Sequence, residues 1–355
     1  MKSVLLLTQG WFCKLSRGFN IGCSGLRMTH DIAQMFRKLN LALVLVPFFF
    51  LGLTLCPGMR DSSVATGASG PEPTYKVIHH VSYVHPADLI RNGRLYLPDS
   101  HGLHPAIVLI HGGGWAGGSN HDGGVSFLAP RLAARGWVVF NINYRLVRQG
   151  GAFPKDVQDV KDALAWMILN AKKYRINSSE IIPVGLSAGA HLALMAAYTI
   201  KADRFPATQY PHVPLHVKAV VGFYTPTDSS IINLLPKKSW AYKTVFKYVG
   251  AWVKRHPHHG LQTASPVFYA HDGVPTLLVQ GLADRLVPAF QATEMAAALK
   301  KNGVPVRVVM IPNIGHAFMS LADKARPVSF AALLKFLDQQ CSLDENPAAT
   351  VAAVH

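Results

Sequence analysis

Half of the 355 residues are hydrophobic and only 15% are charged, which supplies apolar material for one large core or two modest ones and excludes a disordered chain. Lys and Arg outnumber Asp and Glu by 35 to 19, a formal charge of +16. No zinc-finger spacing, basic heptad or RNA-binding aromatic motif accompanies that charge, so nucleic acid is not an expected partner and other anionic surfaces are. Cys13, Cys23, Cys56 and Cys341 are too few and too scattered for a disulfide framework or a zinc site.

From Leu39 to Leu55 the chain reads LNLALVLVPFFFLGLTL, uncharged and preceded by Arg37 and Lys38. This is the pattern of a targeting segment. Its length is at the short end for a bilayer-spanning helix, and Pro47 and Gly52 fall inside it, so cleaved signal peptide and signal anchor both remain open. Basic residues on the N-terminal side predict that everything after residue 60 is exported: secreted, periplasmic, or held at the membrane on the non-cytoplasmic side. Residues 35–56, beginning at Met35, form a complete signal. Residues 1–34 then read as an extension or as untranslated sequence. Leu53-Thr54-Leu55-Cys56 resembles a lipoprotein box, although a small residue normally stands where Leu55 does. The Ser-, Gly-, Ala- and Pro-rich stretch 57–74 reads as a flexible linker.

From residue 75 to 340 short Val- and Ile-rich runs alternate with longer Ala- and Leu-rich ones, the pattern of an α/β domain with a mostly parallel eight-stranded sheet. Strands are expected at 76–84 and 89–97, as an antiparallel edge pair, then at 106–110, 137–142, 180–186, 217–223, 275–280 and 305–311. Helices are expected at 125–135, 156–172, 188–200, 288–302 and 326–340. Near-continuous apolar strands imply burial on both faces, so helices should flank the sheet. Residues 226–263 interrupt the alternation as a small cap insertion. There Ala241, Val245, Tyr248 and Trp252 recur at helical spacing, and residues 237–259 carry six Lys or Arg and no acid. That excursion either packs on its own domain or meets anionic lipid. Residues 341–355 form a tail.

The chemistry centres on Gly185-Leu186-Ser187-Ala188-Gly189, placed where a buried strand meets an Ala-rich helix. A serine hydroxyl needs a base to take its proton, a group to orient that base, and donors for the oxyanion that forms. Gly185 and Gly189, two residues either side, permit a strained turn that exposes Ser187. His111-Gly112-Gly113-Gly114-Trp115 follows the strand 106–110, and consecutive glycines let backbone N–H groups approach a ligand atom.

On these motifs the chain resembles the hormone-sensitive-lipase-like esterases of the α/β-hydrolase fold, the group with an HGGG motif. The resemblance implies Gly113, Gly114 and Ala188 as N–H donors to the oxyanion. It also implies an acid and a base after late strands, in the order Ser, Asp, His. Gly281-Leu282-Ala283-Asp284-Arg285 and Asn313-Ile314-Gly315-His316 supply Asp284 and His316. Tyr144-Arg145-Leu146, Phe153-Pro154, Asp159, Ala163, Trp166 and Ala264-Ser265-Pro266 also resemble the family pattern, which therefore spans 76–339. The pattern departs at Gln280, where many relatives carry histidine, and in the cap, which has no family pattern. His79, His80, His256, His258 and His259 lack a catalytic context, and no carboxylate or cysteine joins the last three to make a metal site.

The expected activity is hydrolysis of a carboxylic ester with a short or medium acyl chain through an acyl-serine, without cofactor or metal. The substrate would be a small-molecule or lipid ester, with membrane association through the N-terminal segment and the basic cap. Two alternatives stand beside it: an amidase or arylformamidase on the same scaffold, and a non-catalytic binding module with a broken triad.

Overall fold

The computed structural model describes residues 74–321 and 324–341. The extension 1–34, the signal segment 35–56 with Cys56, the linker to residue 73 and the tail beyond Cys341 lie outside those described residues.

Eight strands form a single sheet: β1 (Tyr75–Ser82), β2 (Asn92–Pro98), β3 (His104–Ile110), β4 (Val138–Ile142), β5 (Ile176–Leu186), β6 (Val220–Phe223), β7 (Thr276–Gly281) and β8 (Val306–Ile311). Their spatial order is β1-β2-β4-β3-β5-β6-β7-β8. Only β2 runs against the rest, pairing antiparallel with both β1 and β4. The α/β-hydrolase class expected from the sequence is the class observed.

The helices are α1 (Gly123–Ala133), α2 (Lys155–Leu169), α3 (Ala171–Tyr174), α4 (Ala188–Tyr198), α5 (Trp240–Arg255), α6 (Gly260–Thr263), α7 (Phe290–Lys301) and α8 (Ala325–Gln340). Strand alternation divides the apolar residues between two cores. Ala106, Val108 and Ile110 of β3 face one layer with Val157, Leu164, Leu192, Met195 and Leu299 from α2, α4 and α7. Ile107 and Leu109 face the other, with Leu128, Leu132, Leu333 and Leu337 from α1 and α8. Every residue of β3, β4 and β7 is buried, as strands covered on both faces must be.

Most boundaries shift by a few residues from expectation, and three of the shifts have local reasons. The helix expected at 156–172 stops at Leu169, because Asn170 turns out of helical geometry and its Nδ2 donates to Trp166 O at 2.9 Å. The strand expected at 217–223 is shortened to β6, whose ladder with β5 begins at Val184↔Val221. Pro183, the residue before, has no N–H to extend it. Strand β1 stops at Ser82 rather than 84, with a register shift between Ile78 and Val81 and His80 at φ 54°.

The cap leaves and rejoins the domain through one polar clasp. Ser229 N–H donates to Ser265 Oγ (2.8 Å) and Ser229 Oγ to Ala264 O (2.8 Å). Between these ends α5 is opened by Ser239, whose Oγ accepts from Tyr242 N–H at 3.1 Å. The expected apolar stripe is the docked face: Tyr248 and Val249 are buried, with Ala241, Val245 and Trp252 half-buried.

Candidate active site

Strand β5 ends at Leu186 and α4 begins at Ala188, so Ser187 alone makes the corner, at φ 53° and ψ −117°. A non-glycine residue held there stores about 1–3 kcal/mol of backbone strain. Two hydrogen bonds fix it: Ser187 N–H donates to Phe223 O (2.9 Å), and Ser187 O accepts from His191 N–H (3.0 Å). The flanking glycines have no room for a side chain. A Cβ on Gly185 would lie 2.2 Å from Gly189 O, and one on Gly189 would lie 2.3 Å from His111 O.

The late strands bring the two other expected residues to this corner. Ser187 Oγ lies 2.9 Å from His316 Nε2, and His316 Nδ1 lies 2.7 Å from Asp284 Oδ2. An imidazole whose Nδ1–H donates to a carboxylate presents an unprotonated Nε2 to the hydroxyl. The Asp284 carboxylate has no solvent exposure. Its burial is offset by donors: Oδ1 accepts from the N–H groups of Leu286 and Val287, each at 2.9 Å, and Oδ2 also accepts from Gln280 Nε2 at 3.1 Å.

On the other side of Ser187 lies the glycine run. A Cβ on Gly112 would stand 3.4 Å from the Ser187 Cβ, so the loop and the serine are in contact. Gly113 (φ 113°) and Gly114 (φ 59°) occupy conformations natural to glycine. Gly113 O accepts from Ala116 and Gly117 N–H (3.2 and 3.0 Å), closing the loop on itself. Among the described residues the N–H groups of Gly113, Gly114 and Ala188 have no protein acceptor. Ala188, buried as the first residue of α4, brings only this N–H to the corner.

His111 and Trp115 brace the loop. The His111 ring stacks on Tyr144 (4.5 Å between centroids), and its Nδ1 donates to Gly112 O at 2.7 Å. Burial lowers its pKa to about 4, so the ring is neutral at physiological pH. Trp115 stacks on Tyr248 of α5 at 4.2 Å, and His191 meets both rings edge-on, at 5.3 and 5.5 Å.

Trp115, Ser187 and His316 floor a cavity of about 280 Å³ walled by Ile231, Leu235, Trp240, Val245, Leu286 and Val287. The cap thus roofs the site, and Thr244 and Trp240 leave Gly114 no space for a Cβ. All three expected residues of the relay converge, and Gly112, Gly113, Gly114 and Trp115 line the cavity beside them. His111, Gly185 and Gly189 act from beneath its surface. His256 is not drawn into the site: its ring stacks on Trp252 at 4.0 Å.

Several neighbours carried no catalytic signal in the sequence. Tyr224, at φ 42°, packs edge-on against His316 (4.8 Å), and Asp122 joins the cavity wall. Gln280 stood out as a departure from the family pattern, but its bond to Asp284 depends on how the turn after β7 folds.

Comparison with known proteins bears on the family and the fold. A family model described as BD-FAE matches residues 94–299. Esterase LipC of Mycobacterium tuberculosis is 31% identical over 248 residues, covering 66% of this chain and 58% of that protein. The probable carboxylic ester hydrolase LipM of the same organism is 29% identical, covering 67% and 55%. The chain thus spans little more than half the length of these curated relatives. Among solved structures, a truncated carbohydrate esterase from gut microbiota superposes with a TM-score of 0.65 at 24% identity, covering 76% of this chain and 98% of that one. Esterase B of Lactobacillus rhamnosis superposes with a TM-score of 0.63 at 19% identity, covering 76% and 88%. Both share the fold.

Proposed function

Because the chain belongs to the BD-FAE family of α/β-hydrolases, we propose that it is a serine hydrolase that cleaves carboxylic esters through an acyl-serine intermediate. The observation that carries this reading is the hydrogen-bond series Ser187–His316–Asp284 on the floor of an apolar cavity. His316 Nε2 takes the Ser187 proton as Oγ attacks the ester carbonyl, and Asp284 stabilises the imidazolium that forms. The N–H groups of Gly113, Gly114 and Ala188 receive the developing oxyanion, one such donor being worth about 10² to 10³ in rate. His316 then returns the proton to the leaving alcohol. In the second half, water attacks the acyl-serine and His316 repeats its role, releasing the acid.

Esterase names among the relatives support ester cleavage. The wall favours an uncharged substrate: its residues are mostly aliphatic or aromatic, and the cavity volume suits a short or medium acyl chain. A fluorophosphonate probe and a p-nitrophenyl ester series from acetyl to octanoyl test this on the full chain. We expect labelling and turnover in the wild type, and a loss of about 10⁴-fold or more in kcat for Ser187→Ala. Equal turnover by Ser187→Ala would remove the proposal.

A further inference from the structure

Exposed apolar side chains belong to the cavity wall or adjoin it in the chain. Leu234 (74% exposed), Trp240 (62%), Phe246 (54%), Phe290 (46%) and Leu321 (70%) are each a residue of the cavity wall or the chain neighbour of one. They come from three separate segments: the cap, the start of α7 and the turn after His316. Surface hydrophobics scattered singly need no explanation, whereas three of these five, Leu234, Trp240 and Phe246, stand in one stretch of the cap.

Charge accompanies them. Lys237, Lys238, Lys243, Lys247, Lys254 and Arg255 are all exposed, and from Ser229 to His271 there is no Asp or Glu. Beyond that stretch, Arg285 and Lys324 are also exposed. Acids are present as well: Asp122 lines the cavity, Asp284 is the buried carboxylate bonded to His316, Asp228 caps Ser230, Glu294 lies on α7, and Asp323 precedes Lys324 in the chain. On α5 the helical period sets Tyr242 and Phe246, stacked at 5.9 Å, beside Lys243, Lys247 and Lys254. This arc lies opposite the one that packs on Trp115 and Phe153. Aromatic rings beside long ammonium stems suit the boundary of a bilayer, where the ring enters the acyl edge and the charge reaches phosphate.

We propose that this outward face of the cap docks on an anionic phospholipid bilayer. A second copy of the chain would meet lysine with lysine across a self-complementary contact, whereas anionic headgroups neutralise the whole cluster.

The test is co-sedimentation of the full chain with phosphatidylcholine vesicles, with and without phosphatidylglycerol, for the wild type, for Lys237→Glu/Lys238→Glu/Lys247→Glu and for Phe246→Ser. The wild type should bind phosphatidylglycerol vesicles preferentially, and salt should weaken that binding. The triple variant should lose at least about tenfold in partition, and Phe246→Ser severalfold. Both variants should keep fluorophosphonate labelling and turnover of soluble p-nitrophenyl acetate, which shows that fold and site are intact. Equal binding to both vesicle types, or a triple variant that partitions like the wild type, would overturn the proposal. So would wild-type self-association in sedimentation velocity that disappears in Phe246→Ser. If the wild type takes no probe while partition follows the expected pattern, the docking stands and the esterase reading falls.

Discussion

Asp284 Oδ2 takes two donors at once, His316 Nδ1–H and Gln280 Nε2–H, while Oδ1 takes two backbone N–H groups. The carboxylate is therefore held in one orientation from three directions. Gln280 is itself fixed by a second bond, to Val287 O at 3.0 Å. Removing it frees one side of Asp284 and orphans that carbonyl. A hydrogen bond to a charged group is worth about 1.5–3 kcal/mol, so Gln280→Leu should lower kcat/KM roughly tenfold to a hundredfold with the fold retained. Gln280→Glu, which adds an acid beside the relay, should shift the acidic limb of the pH–rate profile upward, because a nearby negative charge favours the imidazolium and only the neutral ring can take the Ser187 proton. Steady-state kinetics across pH check both, and unaltered profiles in the two variants would show that Gln280 does not position the acid.

At the scale of elements, one aromatic contact ties the cap to the floor of the site. Tyr248 of α5 lies flat on Trp115, which leads out of the glycine run, and Trp252 meets Phe153 edge-on at 5.2 Å. The Tyr248 hydroxyl adds little: its bond to Asp156 is long, at 3.4 Å. Tyr248→Ala should therefore cost about 3–5 kcal/mol, as for other buried aromatic truncations, while Tyr248→Phe should stay within about 1 kcal/mol. Urea unfolding of the two variants measures the difference. Equal destabilisation would assign the anchoring to the hydroxyl instead of the ring.

Across the whole domain, burial sets the response to acid. His111 and His191 are fully enclosed, and desolvation lowers each pKa from 6.5 to about 4 in the folded state. A depressed folded pKa means the unfolded chain binds more protons, so stability present above pH 6.5 is lost as pH falls towards 4. Asp156, whose pKa burial raises, acts in the opposite sense, its contribution fading as pH climbs through its folded value. The histidine effect can be isolated by substitution. His191→Gln should show a shallower fall in Tm between pH 7 and pH 5 than the wild type, and parallel curves would contradict the assignment.

Alternating strand and helix patterns made the fold class legible, and the GLSAG and HGGGW runs marked Ser187 and the glycine loop; Asp284 and His316 came from the resemblance to the esterase family that those runs carry. The patterns themselves depend on local rules: apolar periodicity and glycine at a crowded turn. The short β6 and the break at Asn170 were also local, but they turned on single hydrogen-bond donors that periodicity does not register. Only the tertiary structure decided the rest. Gln280 reaches Asp284 because the turn after β7 folds back on itself. Trp115 meets Tyr248 across a separation of 133 positions in the chain, and the cavity wall gathers segments as distant as those of Gly112, Trp240 and His316. Sequence pattern records what a residue does to its chain neighbours, whereas contact between distant segments is chosen by packing, and only folding brings it about.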